Sequence, residues 1–164
     1  MNKKYKDIFY VFHSTAQFNK FIQDKLLKEG FTNCGSVSDE KIKSEILKSS
    51  IFAVAKSGTN SLEICSAKVP SVIIYKMNII NYLIVKILVK VKFANIINIA
   101  ANEEIIPELL QNNCNSKNIY NKVVNFFSDD QSIKIQIEKT QKILEDFKTN
   151  NPSEIAASVL LNRL

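Results

Sequence analysis

Ser57-Gly58-Thr59, followed four residues later by Glu63, is the grouping in this sequence with the clearest chemical potential. A glycine lets backbone approach a phosphate closely, because no Cβ intervenes. The flanking hydroxyls add two donors. The apolar run IFAVA (51–55) ends just before Ser57, and a helical pattern starts at Asn60. A loop in that place presents backbone N–H groups at a helix N-terminus, where the dipole is positive, and so suits an anion. Glu63 falls one turn into the helix, where a carboxylate accepts both hydroxyls of a ribose. The same residues also suit an ordinary helix start, with Ser or Thr as the cap and an acid favoured by the dipole. The tripeptide is neither a dinucleotide fingerprint nor a P-loop.

The elements that would position this loop alternate along the chain. DIFYVFH (7–13) reads as a buried strand. Residues 16–30 carry Phe18, Phe21, Ile22 and Leu26 at helical spacing, with Gly30 as the stop. Residues 39–50 form a second helix with acids in its first turn. IFAVA is a strand, 60–67 a helix, and SVIIYK a strand opened by Pro70. Residues 79–93 read as a helix, FANIINIA (93–100) as a strand, and EEIIPELLQ (103–111) as a helix with Pro107 near its start. Residues 116–128, 130–149 and 152–164 read as terminal helices. Strands alternating with helices predict an α/β sandwich on a mostly parallel sheet. Ligands of such sheets bind at the carboxyl ends of the strands, where Ser57 falls.

Composition narrows the function classes. The 164 residues are 46% hydrophobic, enough for one core, and carry a net charge of +6. That charge is almost all lysine, with Arg163 as the one arginine, and it is scattered among acids. A nucleic-acid-binding module would gather arginine and aromatic residues on one face, so no nucleic-acid partner is expected. Cys34, Cys65 and Cys114 have no metal spacing and read as free thiols of a reducing cytosol. No signal peptide is visible, and no run of ~20 apolar residues without charge is present. Neither a cofactor nor a metal is expected, since no Asp-x-Asp pair lies near the loop and Asp129-Asp130 sits in a polar turn.

From Ser57 to Gln111 the sequence resembles the carboxyl-terminal half of bacterial lipid-A-disaccharide synthases. The shared marks are Ser-Gly-Thr, three residues and then Glu63, a Pro-led strand ending in Tyr75-Lys76, a hydrophobic basic segment, Asn98, and Pro-Glu-Leu-Leu-Gln at 107–111. Each is weak alone, but the ordered set is specific. The resemblance implies a Rossmann-like three-layer sandwich, the carboxyl-terminal half of a GT-B fold, ending in several helices. It implies transfer of 2,3-diacylglucosamine from UDP-2,3-diacylglucosamine to lipid X (2,3-diacylglucosamine 1-phosphate), with inversion and release of UDP. Gly58 and Thr59 then match positions facing the diphosphate, with Ser57 and Lys76 as further UDP-sugar-binding candidates, Glu63 matches the ribose-binding acid, and Asn98, Glu104 and Glu108 match further positions lining the nucleotide-sugar site. The chain reads as a single, amino-terminally incomplete domain over 1–164. Its catalytic base is expected in the missing half, a separate chain carrying that half or a homodimer is the expected protein partner, and this chain alone is expected to be inactive. The alternative is a non-catalytic remnant with no or weak UDP binding. The family usually has Arg where this chain has Glu103, which removes a cation that could meet phosphate.

Three further features stand apart. His13, the one histidine, ends the first strand and reads as structural. Lys76 ends a strand at the ligand-binding edge, either to meet phosphate or as a solvated strand end. Residues 79–93 carry a broad apolar face with Lys86, Lys90 and Lys92 elsewhere. That segment reads as a buried core helix or as an interfacial helix on anionic lipid. The expected location is cytoplasmic, with peripheral contact at the inner face of the membrane.

Overall fold

The computed structural model describes residues 8–78, 92–148 and 152–161, and for 152–156 the backbone alone. The chain divides into two compact units, Met1–Ser50 and Ile51–Leu164. Both are strand–helix–strand constructions with parallel strands only, so the α/β class expected from the alternation holds.

In the first unit, β1 (Tyr10–His13) pairs in parallel with β2 (Cys34–Val37) through α1 (Ala16–Lys28). Gly30 takes the left-handed conformation at φ +70° just after α1, where a side chain would be strained. Phe31 N then reaches back to Leu26 O at 3.1 Å, closing the helix end. α2 (Glu40–Ser49) starts at Asp39, whose carboxylate accepts from Lys41 N and Ile42 N at 2.8 and 3.0 Å. β2, with its Gly and Ser, gave no strand signal in the sequence. The apolar β1 was expected to be buried, yet all four of its residues are exposed. A sheet of two short strands offers too little area to cover both of its faces.

The second unit holds the buried core. Its sheet has the order β3 (Ala53–Lys56), β4 (Ser71–Tyr75), β5 (Glu108–Leu110), all parallel. α3 (Asn60–Ser66) joins β3 to β4, and α4 (Ile96–Ala101) precedes β5. A short 3₁₀ turn (Gln111–Asn113) and three helices follow: α5 (Ser116–Phe127), α6 (Asp130–Asp146) and α7 (Pro152–Leu161). Cys65, Ile73, Ile97 and Ile106 form the core cluster, with Ile143 and Leu144 of α6 packed against it. Burial pushes the Cys65 thiol up to about 11, because a thiolate there would lose its hydration. The Phe52 ring meets those of Phe126 and Phe127, at centroid distances of 5.3 and 5.7 Å.

Two expectations are reversed around β5. FANIINIA forms helix α4 and not a strand. Asn95 caps it by accepting from Ile97 N at 2.9 Å, and Asn102 ends it in the left-handed conformation at φ +51°. EEIIPELLQ forms no helix. It bends over 103–106, with Ile105 N bonded to Glu103 O at 3.0 Å, passes through Pro107, whose carbonyl accepts from Ile73 N at 2.9 Å, and becomes strand β5 before the 3₁₀ turn at Gln111. The periodicity of such short apolar runs does not separate strand from helix, and the neighbour β4 decides. The helix expected over 79–93 falls mainly on 79–91, outside the described residues, and so do Lys86 and Lys90. Among the described residues no helix is long and apolar enough to cross a membrane.

Candidate functional site

The carboxyl ends of β3, β4 and β5 bring together Lys56-Ser57-Gly58-Thr59, Lys76-Met77 and Gln111. Gly58 sits at φ +145°, a conformation open to glycine and strained for other residues. A Cβ built there would meet nothing within 4 Å, so the turn faces open space. Gly58, Thr59 and Glu63 are exposed.

The hydroxyls do not act as helix caps. Thr59, the residue before α3, makes no side-chain capping bond. Ser57 Oγ donates to Ala94 O at 2.6 Å, and Ser61 Oγ donates to Gly58 O at 2.7 Å. The helix end is also less free than the sequence suggests. α3 has seven residues, and the amides of Ser61 and Leu62 bond to Gly58 O and Thr59 O at 3.2 and 3.0 Å. The donors a phosphate could still meet here are the Gly58 and Thr59 amides and the Thr59 hydroxyl. Ser57 is turned to the protein, so of the three it is the one that shapes the turn from behind.

Two lysines add positive charge at this edge. Lys76 is exposed directly after β4. Lys56, which the sequence reading passed over, is exposed with its Nζ 5.4 Å from the centre of the Tyr75 ring. Gln111 was also missed as a site element. Its Oε1 accepts from Met77 N at 2.8 Å and its Nε2 donates to Met77 O at 3.3 Å. It does so from a left-handed backbone at φ +49°, uncommon for a residue with a Cβ. The amide of Gln111 therefore sets the backbone just beyond Lys76.

Asn98 and Glu108 come together, Asn98 in the interior and Glu108 half-buried beside it. Asn98 is fully buried. Its Nδ2 donates to Ile106 O at 2.7 Å and to Glu108 Oε1 at 2.8 Å, while its Oδ1 accepts from Ile105 N and Ile106 N, each at 2.9 Å. Glu108 accepts from Ala94 N at 2.8 Å and Asn95 N at 2.9 Å. These side chains hold the backbone that enters and leaves α4, and the Asn98 amide has no atom left over for a ligand.

Glu103 and Glu104 stand apart from the turn. Glu104 is exposed and accepts from Glu108 N at 3.1 Å, on the edge of β5 that faces away from β4. Glu103 forms an ion pair with Lys139 of α6. Lys139 lies one turn from Gln136, whose amide brackets Ser71 N and Ser71 O at 2.7 and 3.1 Å. Ser71 opens β4, so Glu103 belongs to the amino-terminal end of the sheet, opposite Ser57. The expectation that Glu103 takes a cation away from the phosphate-facing loop is corrected accordingly. A recess of about 230 Å³ at that end is lined by Glu103, Glu104, Gln136 and Lys139 among others.

The remaining features have local roles. His13 Nε2 lies 3.4 Å from Glu40 Oε1 at the start of α2, inside the first unit. Lys92 is exposed, with its Nζ 5.3 Å from the centre of the Phe93 ring. Asp129 caps α6, and the Ser132 hydroxyl and amide hold its carboxyl below the usual range.

Comparison with known proteins points to the same family as the motifs. Residues 1–160 match the family model described as lipid-A-disaccharide synthetase. The chain is 37% identical over 163 residues to the lipid-A-disaccharide synthase of Rickettsia prowazekii (strain Madrid E), covering 98% of this chain and 42% of that relative. The enzyme of Rickettsia typhi (strain ATCC VR-144 / Wilmington) is 36% identical over the same length, with the same coverage. That of Rickettsia canadensis (strain McKiel) is 42% identical over 126 residues, 75% of this chain and 32% of the relative. The chain thus spans less than half the length of these relatives. The likeness read from Ser57 to Gln111 extends over nearly all of it, and the chain belongs to the lipid-A-disaccharide synthetase family.

Proposed function

We propose that this chain supplies the UDP-binding part of a glycosyl transfer from UDP-2,3-diacylglucosamine to lipid X, giving the lipid A disaccharide 1-phosphate and UDP. The observation that carries the reading is the open Gly58 turn at the carboxyl end of a parallel sheet, in a chain of this family. Gly58 and Thr59 meet the diphosphate through their amides and the Thr59 hydroxyl. Lys76 adds charge to that edge, and Glu63, exposed one turn further along, takes the ribose hydroxyls. Fixed donors of this kind stabilise a leaving diphosphate without reorganising during the reaction. Asn98 and Glu108 act from behind the site, and Glu104 has no part in holding the nucleotide. The acceptor site and the catalytic base belong to the part of the relatives' length that these residues do not span. Both substrates carry acyl chains, so the transfer takes place beside a lipid surface, with Lys92 as a described basic residue that would meet it.

Titration with UDP, followed through the backbone amide signals of 57–63, tests the reading. The expected affinity is weak, around millimolar, for which ~4 kcal/mol of binding suffices. Glu63→Ala should weaken it about tenfold, near the lower end of what a hydrogen bond to a charged group contributes (~1.5 kcal/mol), and leave the domain folded. If UDP moves no signal there, the chain is a folded domain without nucleotide binding, and the proposal is wrong.

A second expected result concerns catalysis. Incubated with UDP-diacylglucosamine and lipid X, this chain alone should form no disaccharide above an enzyme-free control. Product formation would mean that these 164 residues hold a base and an acceptor site of their own.

A further inference from the structure

We infer that Glu108 is a positioning residue for the Ser57-Gly58-Thr59 turn, acting through the Ala94–Asn95 peptide and not on the ligand. The inference rests on the reading of that turn as the diphosphate site and adds to it the group that sets its shape.

The geometry is a relay through one peptide plane. Asn95 N donates to Glu108 Oε1 at 2.9 Å. The carbonyl of that same peptide, Ala94 O, accepts from Ser57 Oγ at 2.6 Å. A carboxylate on the N–H side polarises the peptide and makes its carbonyl a better acceptor on the other side. Glu108 Oε2 takes Ala94 N at 2.8 Å, so two successive amides converge on one carboxylate and the peptide is fixed in orientation as well as place. Asn98 Nδ2, at 2.8 Å from Oε1, fixes the carboxylate in turn. Glu108 itself is seated on the sheet, opposite Ile73 in the β4–β5 register.

The far end of the relay is Ser57, next to Gly58 at φ +145°. A turn in that conformation depends on where its flanking residue is tied. The tie is a hydroxyl held across 37 residues of sequence. Glutamine could not replace Glu108 in kind. Its single oxygen accepts from one amide, and its NH₂ would face the other donor.

The experiment compares the whole chain with Glu108→Gln, Ser57→Ala and the double variant, first without ligand and then with UDP. Without ligand, Glu108→Gln should move the amide signals of 57–59 as well as those of 94–95. With UDP, each single variant should bind about tenfold more weakly. The double variant should be little worse than either, because both act along one path. Unmoved 57–59 signals in Glu108→Gln, or single effects that multiply in the double variant, would overturn the inference. If the parent chain binds no UDP, the functional reading fails, and the ligand-free signals alone decide for or against the relay. If Glu108→Gln does not fold, Ser57→Ala decides. It should move the Asn95 amide signal, and an unmoved signal there means the peptide transmits nothing.

Discussion

Asn98→Leu should cost the carboxyl-terminal unit roughly 3–6 kcal/mol, the sum for two or more buried polar groups left without partners. Leucine is close to asparagine in size, so packing is not the issue. The loss is the acceptor for Ile105 N and Ile106 N and the donor to Ile106 O, in a place with no solvent exposure. A small domain has ~5–15 kcal/mol of stability in total, so the variant should lose a large fraction of it and unfold at much lower denaturant than the parent. Asn98→Asp should also be destabilising for a different reason. It keeps an acceptor for the two amides but turns a second oxygen towards Ile106 O and the Glu108 carboxylate. Denaturant titration followed by circular dichroism measures both. A loss under ~1 kcal/mol in Asn98→Leu would mean that water replaces the asparagine and that Asn98 is not a structural pin. A residue touching only the ligand would show the opposite pattern, with binding lost and stability kept.

Gly58→Val should abolish saturable UDP binding at any concentration that saturates the parent, a loss of at least about a hundredfold, or ~2.7 kcal/mol. The cause is the backbone. A Cβ at this position meets nothing within 4 Å, so no clash with neighbouring atoms is involved. At φ +145°, however, a β-branched residue is strongly disfavoured, and the chain relieves the strain by turning the peptide. That rotation redirects the Gly58 and Thr59 amides away from the phosphate. The fold should survive, because the turn is exposed and the cost of a strained position is about 1–3 kcal/mol. Gly58→Ala should fall between the parent and Val. If the Val variant binds UDP within about threefold of the parent (~0.6 kcal/mol), the turn is not the phosphate contact.

The parts of the site that were legible in the sequence are those with local causes. A glycine between hydroxyls, after an apolar run and before a helical pattern, marks a turn at a strand's carboxyl end, and that turn is present. Its inner workings were not legible. Ser57 looked like a donor to a phosphate and is bonded to Ala94 O. Glu103 looked like a charge beside the phosphate and pairs with Lys139. In both cases the partner lies more than 30 residues away, at 37 and 36 positions. No spacing rule reaches that far.

Outside β2 and residues 93–111, the sequence by itself determined the alternation of strands and helices, because periodicity and end signals act within a few residues. Asp39, Asn115 and Asp129 each start a helix by accepting from a backbone amide two or three residues on. It also determined the family, because the ordered motifs are read along the chain. Only the tertiary structure decided what 93–111 becomes. Ile96–Ala101 and Glu108–Leu110 are both short and apolar, and propensity does not separate them. β5 is a strand because β4 offers it a parallel partner, with Ile73 N bonded to Pro107 O at 2.9 Å. α4 is a helix because the chain must turn back before that strand, with Asn95 and Asn102 closing its ends. The same constraint turned Asn98 and Glu108 inward: backbone groups buried by this packing need partners, and these two side chains supply them.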